Sequence, residues 1–213
     1  MSEKLRVLIT GFGPFPGAPW NPTEALVKRL VKLRRPAFSN VMLAGHVFPV
    51  TYDGVDGQLA EHLACVKPHA LLMFGLAGRT KHVRIETRAR NTISTRWPAA
   101  DGSYAAANVI AAARDALPFG PHTTALLRRA CGSGIDARLS RNAGSYLCNY
   151  LSWRGIEATQ QPDGPRVAAF VHVPLIPRSS IHRRIGARGI VLEELVDAGE
   201  AMLMEMVKAA RRG

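Results

Sequence analysis

Acidic residues are scarce in this chain: 16 Asp and Glu stand against 28 Lys and Arg, a formal charge of +12. Cysteine is scarcer, with Cys65, Cys131 and Cys148 among 213 residues, too few and too scattered for a disulfide framework. No C-x-x-C pair and no H-E-x-x-H spacing occurs, and His62, His69, His82, His122 and His182 have no acidic partner motif, so neither a metal nor another cofactor is expected. A G-x-S-x-G elbow is missing too, because Gly132-Ser133-Gly134 lacks the spacing. Long apolar runs are absent, and Val7-Leu8-Ile9 is too short for a signal-peptide core. A cytoplasmic protein with reduced thiols and no membrane partner is expected. No repeat, low-complexity tract or dividing linker is present, so residues 1–213 are read as one domain.

The charge raises the class of nucleic-acid or acidic-surface binders. Its distribution argues for a solvated basic surface instead. Lys28-Arg29, Arg34-Arg35, Arg128-Arg129, Arg183-Arg184 and Arg211-Arg212 are short groups without interleaved aromatics or a recognition-helix pattern. No nucleic-acid partner is expected.

What is present reads as alternating strands and helices, the mark of an α/β layer architecture. Leu5–Thr10 predicts a strand that runs into Gly11-Phe12-Gly13-Pro14-Phe15-Pro16-Gly17. The prolines and the G-x-G-x-x-x-G spacing exclude a dinucleotide loop. Phe12 and Phe15 fit either a pocket wall beyond the strand or core filling. Asn21-Pro22-Thr23-Glu24 predicts a capped helix to about Leu33. A second strand is predicted over 41–50, a helix over 55–65 and a buried strand over 70–75. Residues 83–91 alternate, with Val83, Ile85, Thr87 and Ala89 on one face and Arg84, Glu86, Arg88 and Arg90 on the other. Glu86 there fits a surface ion pair or an orienting carboxylate. A small-residue helix is predicted over 105–117, a strand before residue 139, an apolar strand over 167–174 and an amphipathic helix from about Gly189.

Between two of these strands, residues 139–150 read as a strand end, a turn and a helix start. Asn142 and Ser145 are cap-forming types, and the helix N-terminus would favour a thiolate at Cys148. Cys148 fits a nucleophile or a packed small hydrophobe. His172, on the apolar strand, fits a catalyst or a hydrogen-bonded core residue. Together, Cys148, His172 and Glu86 supply the thiol, imidazole and orienting group of a cysteine hydrolase.

Four blocks carry a family resemblance: Thr10–Phe15 followed by Asn21-Pro22, Gly75–Arg79 followed by Glu86 and Asn91, Ala143–Asn149, and Phe170–Pro174. Together they resemble pyroglutamyl peptidase I, also called pyrrolidone-carboxylate peptidase. The resemblance implies a single-domain α/β three-layer sandwich, with a mixed, mostly parallel sheet flanked by helices. It implies a homotetramer that removes N-terminal pyroglutamate from blocked peptides through a thioester acyl-enzyme, without a metal. By the same resemblance Cys148 is the nucleophile, His172 the base and acid, and Glu86 the third triad member. Phe12, Phe15 and Asn21 match lactam-pocket positions, and Arg96 matches the arginine near the oxyanion.

Some positions depart from the family pattern. Thr87 stands where an arginine usually follows the glutamate, Arg79 where a second glycine is frequent, and Trp97 where an aliphatic residue is usual. Thr87 and Trp97 leave open a relative that removes another small N-acyl cap, and the charge of +12 leaves open a catalytically silent basic binding protein that kept the fold.

Overall fold

Near-continuous apolar strands need cover on both faces, and this requirement organises the chain. The computed structural model describes residues 4–112, 114–177 and 189–212, so His182 and the Arg183-Arg184 pair lie outside the described residues. In chain order the elements are β1 (Leu5–Phe12), α1 (Pro22–Leu30), β2 (Val41–Phe48), α2 (Tyr52–Val66), β3 (Ala70–Leu76), β4 (Val83–Glu86), β5 (Arg88–Arg90), β6 (Ala116–Pro118), α3 (His122–Gly132), β7 (Ala137–Ser140), α4 (Leu147–Ala158), β8 (Val167–Val173) and α5 (Leu192–Arg212). Six strands form one sheet in the order β2-β1-β3-β8-β4-β7. All its pairings are parallel except β4 with β8, so the sheet is mixed and mostly parallel.

The period of two sorts each strand's residues between two cores. Val7, Ile9, Leu72, Phe74, Ile85 and Val171 face the layer of α1, α3 and α5, where Leu26, Leu126 and Leu203 complete the packing. Leu8, Leu71, Met73 and Phe170 face the opposite layer with Leu59 of α2 and Trp153 of α4. The chain is therefore a single-domain α/β sandwich of three layers. No helix among the described residues is long and apolar enough to cross a membrane.

Two predicted elements differ. Residues 105–117 are not a helix: where described they are irregular and end in β6, which pairs antiparallel with β5. The reason is tertiary. Asn91 Oδ1 accepts from the Ile110 and Ala111 N–H groups while its Nδ2 donates to the Ala111 carbonyl, satisfying backbone that a helix would have paired internally. The predicted 83–91 strand breaks at Thr87, whose N–H and hydroxyl both donate to the Ser140 carbonyl, at 2.7 and 2.9 Å. Nothing in the sequence pattern marked α3, whose cap residue Pro121 makes no side-chain hydrogen bond.

Leu203 is wholly buried in α5. Leu203→Ala is expected to lower unfolding stability by about 2–5 kcal/mol, read from denaturant titration, because it leaves a cavity in the larger core. A loss below about 1 kcal/mol would contradict this packing.

Candidate active site

The same alternation that sorts the cores places Gly75 on β3, His172 on β8 and Arg84 and Glu86 on β4 on one face of the sheet, beneath α4. Gly75 lies directly opposite His172 in the β3–β8 register, and Arg84 opposite His172 on its other side. His172 Nδ1 lies 2.8 Å from Glu86 Oε1, and both residues are buried, at 4% and 0% exposure. With Glu86 ionised, Nδ1 carries the proton and Nε2 is left as the basic nitrogen.

Cys148 is the second residue of α4 and is half-buried. A Cβ added at Gly75 would sit 2.7 Å from its Sγ and 2.6 Å from the Phe170 ring, so the sulfur occupies the space over Gly75, beside the strand position of His172. A glycine in a strand interior marks this kind of close approach.

The loop before Cys148 is gripped by its carbonyls. Ser140 O accepts from Thr87, Arg141 O from Arg88, Gly144 O from Arg90 and Ser145 O from the Ser94 N–H. Arg84 reaches the Asn142 carbonyl as well as Glu86 Oε1, the latter at 2.7 Å. Gly144 takes a positive φ of 87°, where a side chain would strain the backbone. Asn149 secures the other side, pairing with the Arg90 N–H and with the Arg90 and Thr92 carbonyls.

The expected cap is corrected by the structure. Asn142 Oδ1 accepts from Gly144 N–H within the loop, and the α4 cap is Tyr146, which makes no side-chain cap bond. The tyrosine hydroxyl donates instead to the Pro98 carbonyl. The N–H groups of the first turn therefore keep the anion-attracting character of an uncapped helix start.

Burial governs the protonation states. It pushes the Cys148 thiol up to about 12, aided by the Glu86 charge, while Arg84 and the Leu76 N–H act in the opposite sense. The thiolate expected from the helix start is thus overruled by desolvation. Burial also lowers His172 from the ordinary 6.5, more than the Glu86 hydrogen bond raises it. For Glu86, burial acts upward, but hydrogen bonds from His172, Ser140 and Arg84 outweigh it and hold the carboxyl below its ordinary value. The resting set is thiol, neutral imidazole and carboxylate.

Two clefts open at the β1 loop. One, of about 610 Å³, is lined by Phe15, Trp97, Pro98, Ser145 and Tyr146 among others. The second, of about 660 Å³, shares Phe15, Gly17 and Arg79 and adds Trp20, Leu76, Leu175 and Ile176. Of the pocket positions expected from the sequence, Phe15 lines both. Phe12 does not: it is 3% exposed in the core, with its ring 6.0 Å from that of Phe48. Asn21 does not either, because its Oδ1 caps α1 at the Thr23 N–H and its Nδ2 holds the Gly13 carbonyl. It shapes the loop instead of lining a cleft. Arg96 is exposed on the loop that carries Trp97 and lines neither cleft.

The surface ion pair considered for Glu86 is also excluded, since its side chain has no exposure. Arg84, Gly75 and Asn149 were not singled out from the sequence. Their signals were there: Arg84 shares the face of Glu86 by the strand period, and Gly75 interrupts an apolar strand.

A thiol at a helix start, over the strand position paired with a carboxylate-held histidine, is the arrangement a cysteine-type peptidase uses. The sequence profile of the pyroglutamyl peptidase family matches residues 5–209, and the chain belongs to that family. A pyrrolidone-carboxylate peptidase of Thermococcus litoralis is 32% identical over 182 residues, covering 84% of this chain and 80% of that protein. One of Pyrococcus furiosus is 30% identical over 180 residues, covering 84% and 85%. The solved structure of the pyrrolidone carboxyl peptidase from Thermococcus litoralis superposes with a TM-score of 0.86 at 29% identity, covering 98% of this chain and 96% of that one.

If desolvation sets the resting state, the protein has almost no thiolate at Cys148 at pH 7. The ultraviolet thiolate absorbance of the protein minus that of Cys148→Ala is expected to stay near zero up to pH 9. A full thiolate difference at pH 7 would mean a preformed ion pair instead.

Proposed function

We propose that this protein removes an N-terminal pyroglutamyl group from peptides, with Cys148 as nucleophile, His172 as base and acid, and Glu86 as the orienting carboxylate. The observation that carries the reading is the alignment of Gly75, His172 and Glu86 on the face under Cys148, within a chain of the pyroglutamyl peptidase family.

In the first half-reaction, Sγ attacks the pyroglutamyl carbonyl carbon while its proton passes to His172 Nε2. The carbonyl oxygen becomes an oxyanion against the uncapped N–H groups at the start of α4. Glu86 favours the imidazolium at that moment and fixes the ring through Nδ1. The C–N bond then breaks, His172 returns the proton to the departing amine, and a thioester remains on Cys148. Water, deprotonated by His172, attacks the thioester carbonyl, and the thiol leaves with the proton restored. The ring itself fits the cleft of Phe15, Trp97 and Tyr146, a largely apolar site suited to a neutral, compact lactam.

The proposal extends to a reducing compartment, the cytoplasm, and to a homotetramer. Cys65 and Cys131 are both free and exposed, which suits reducing conditions. The tetramer rests on the family resemblance. Light scattering is expected to give about four chain masses, and a monomer mass would remove that part.

Purified protein is expected to release the reporter amine from a pyroglutamyl amide, and Cys148→Ala to lose at least about 10³-fold in rate. Full activity in the alanine variant would overturn the assignment. Glu86→Gln is expected to slow kcat/KM by about 10³-fold or more. The pH profile carries a sign. His172 sits below 6.5, so the acid limb of kcat/KM falls below pH 6.5, and activity reaches its plateau once the imidazole is neutral. Glu86 raises His172, so Glu86→Gln moves the limb to still lower pH; an upward move would contradict the coupling.

A further inference from the structure

Acyl transfer to a sulfur divides the substrate: the acyl part lies on one side of Sγ and the departing amine on the other. The two clefts share Phe15, Gly17 and Arg79, and each reaches residues next to those that position Cys148. Ser145 and Tyr146, just before it in the chain, line the first cleft. Leu76, the strand residue after Gly75, over which Sγ sits, lines the second. With the lactam in the first, a reading this inference rests on, the departing peptide runs into the second.

The second cleft is walled by Trp20, Leu76, Leu175 and Ile176, with Leu175 56% exposed. Among the described residues Arg79 is the one charged side chain lining either cleft, and it lines both. It differs from the other arginines of this face. Arg84 is held by Glu86 and Asn142, Arg88 by Arg141 and Arg90 by Gly144. Arg79 has no ion pair or side-chain hydrogen bond among the described residues. Arg79 is exposed at the rim the two clefts share, and a guanidinium matches a carboxylate in a two-point geometry.

We propose that this second cleft is the leaving-peptide subsite, and that Arg79 makes the enzyme prefer substrates with a carboxylate next to the scissile bond. That carboxylate is either an acidic side chain on the residue after pyroglutamate or the free C-terminus of a pyroglutamyl dipeptide. A lysine at the same place is disfavoured by like-charge repulsion.

The test measures kcat/KM for four substrates: pyroglutamyl-alanine amide, pyroglutamyl-glutamate amide, pyroglutamyl-lysine amide and pyroglutamyl-alanine with a free carboxylate. The glutamate amide, the free-carboxylate dipeptide or both are expected to exceed the alanine amide by about three- to tenfold, and which one does so identifies the carboxylate source. The lysine amide is expected to fall below it. Arg79→Gln should bring these ratios close to one, mainly through KM. Arg128→Gln, which removes an equal charge from the far layer of the sandwich, should leave them as they were. Equal rates for all four substrates, or ratios that survive Arg79→Gln, would overturn the subsite. Ratios that shrink equally in Arg128→Gln would assign them to the overall charge of +12 and overturn the role of Arg79. If none of the four is cleaved, the pyroglutamyl reading itself fails and the subsite fails with it.

Discussion

A carboxylate with no solvent exposure is tolerated only where hydrogen bonds and opposite charge replace its water, and Glu86 sets that demand here. His172 from the neighbouring strand and Arg84 from two residues earlier on the same strand meet it at Oε1, while Oε2 has no hydrogen-bond partner among the described residues. The demand fixes much else. It requires β4 to lie between β8 and β7, and the antiparallel β4–β8 pairing brings Arg84 opposite His172. Arg84 then links the buried charge to the loop that precedes the cysteine. The orientation of the imidazole and the path of the nucleophile loop thus depend on one anion being kept charged in the interior.

The sulfur depends on a complementary constraint, an absence of atoms. Gly75 leaves the space over β3 that Sγ fills, and the surrounding apolar packing disfavours a resting thiolate. A thiol in that setting is a poor nucleophile until its proton has somewhere to go. His172 offers that place because burial keeps its imidazole neutral while Glu86 stands ready to favour the charged form. The pair therefore separates charge as the reaction requires it, and the helix start supplies N–H groups where negative charge develops.

Much of this was legible in the sequence, for physical reasons that differ by residue. The core strands announced themselves through unbroken branched and aromatic runs, since a sheet covered on both faces needs no polar alternation. The parity of Val83, Ile85 and Glu86 correctly separated the two faces of β4. What the pattern could not convey was that the polar face of that strand looks into the protein, because facing direction depends on where α4 packs. The 105–117 segment misled for a related reason: alanine-rich helix propensity is weak, and a single distant side chain, Asn91, outweighed it. Phe12 and Asn21 sit on the expected loop, yet the loop turns so that one ring joins Phe48 and the amide is used by backbone. Loop path is set by such contacts and is invisible to spacing.

The grip on the nucleophile loop also orders events in time. Its ties join residues 51 to 58 positions apart in the chain, and the Glu86–His172 contact spans 86. None of these can form by local zippering: the ties need β4 beside β7, and the Glu86–His172 contact needs β8 beside β4. The parallel β1–β2–β3 edge can assemble without any of the reactive groups coming together. Catalytic geometry therefore rests on contacts of long sequence separation, and a chain in which β4, β7 and β8 have not paired carries its cysteine without the means to use it.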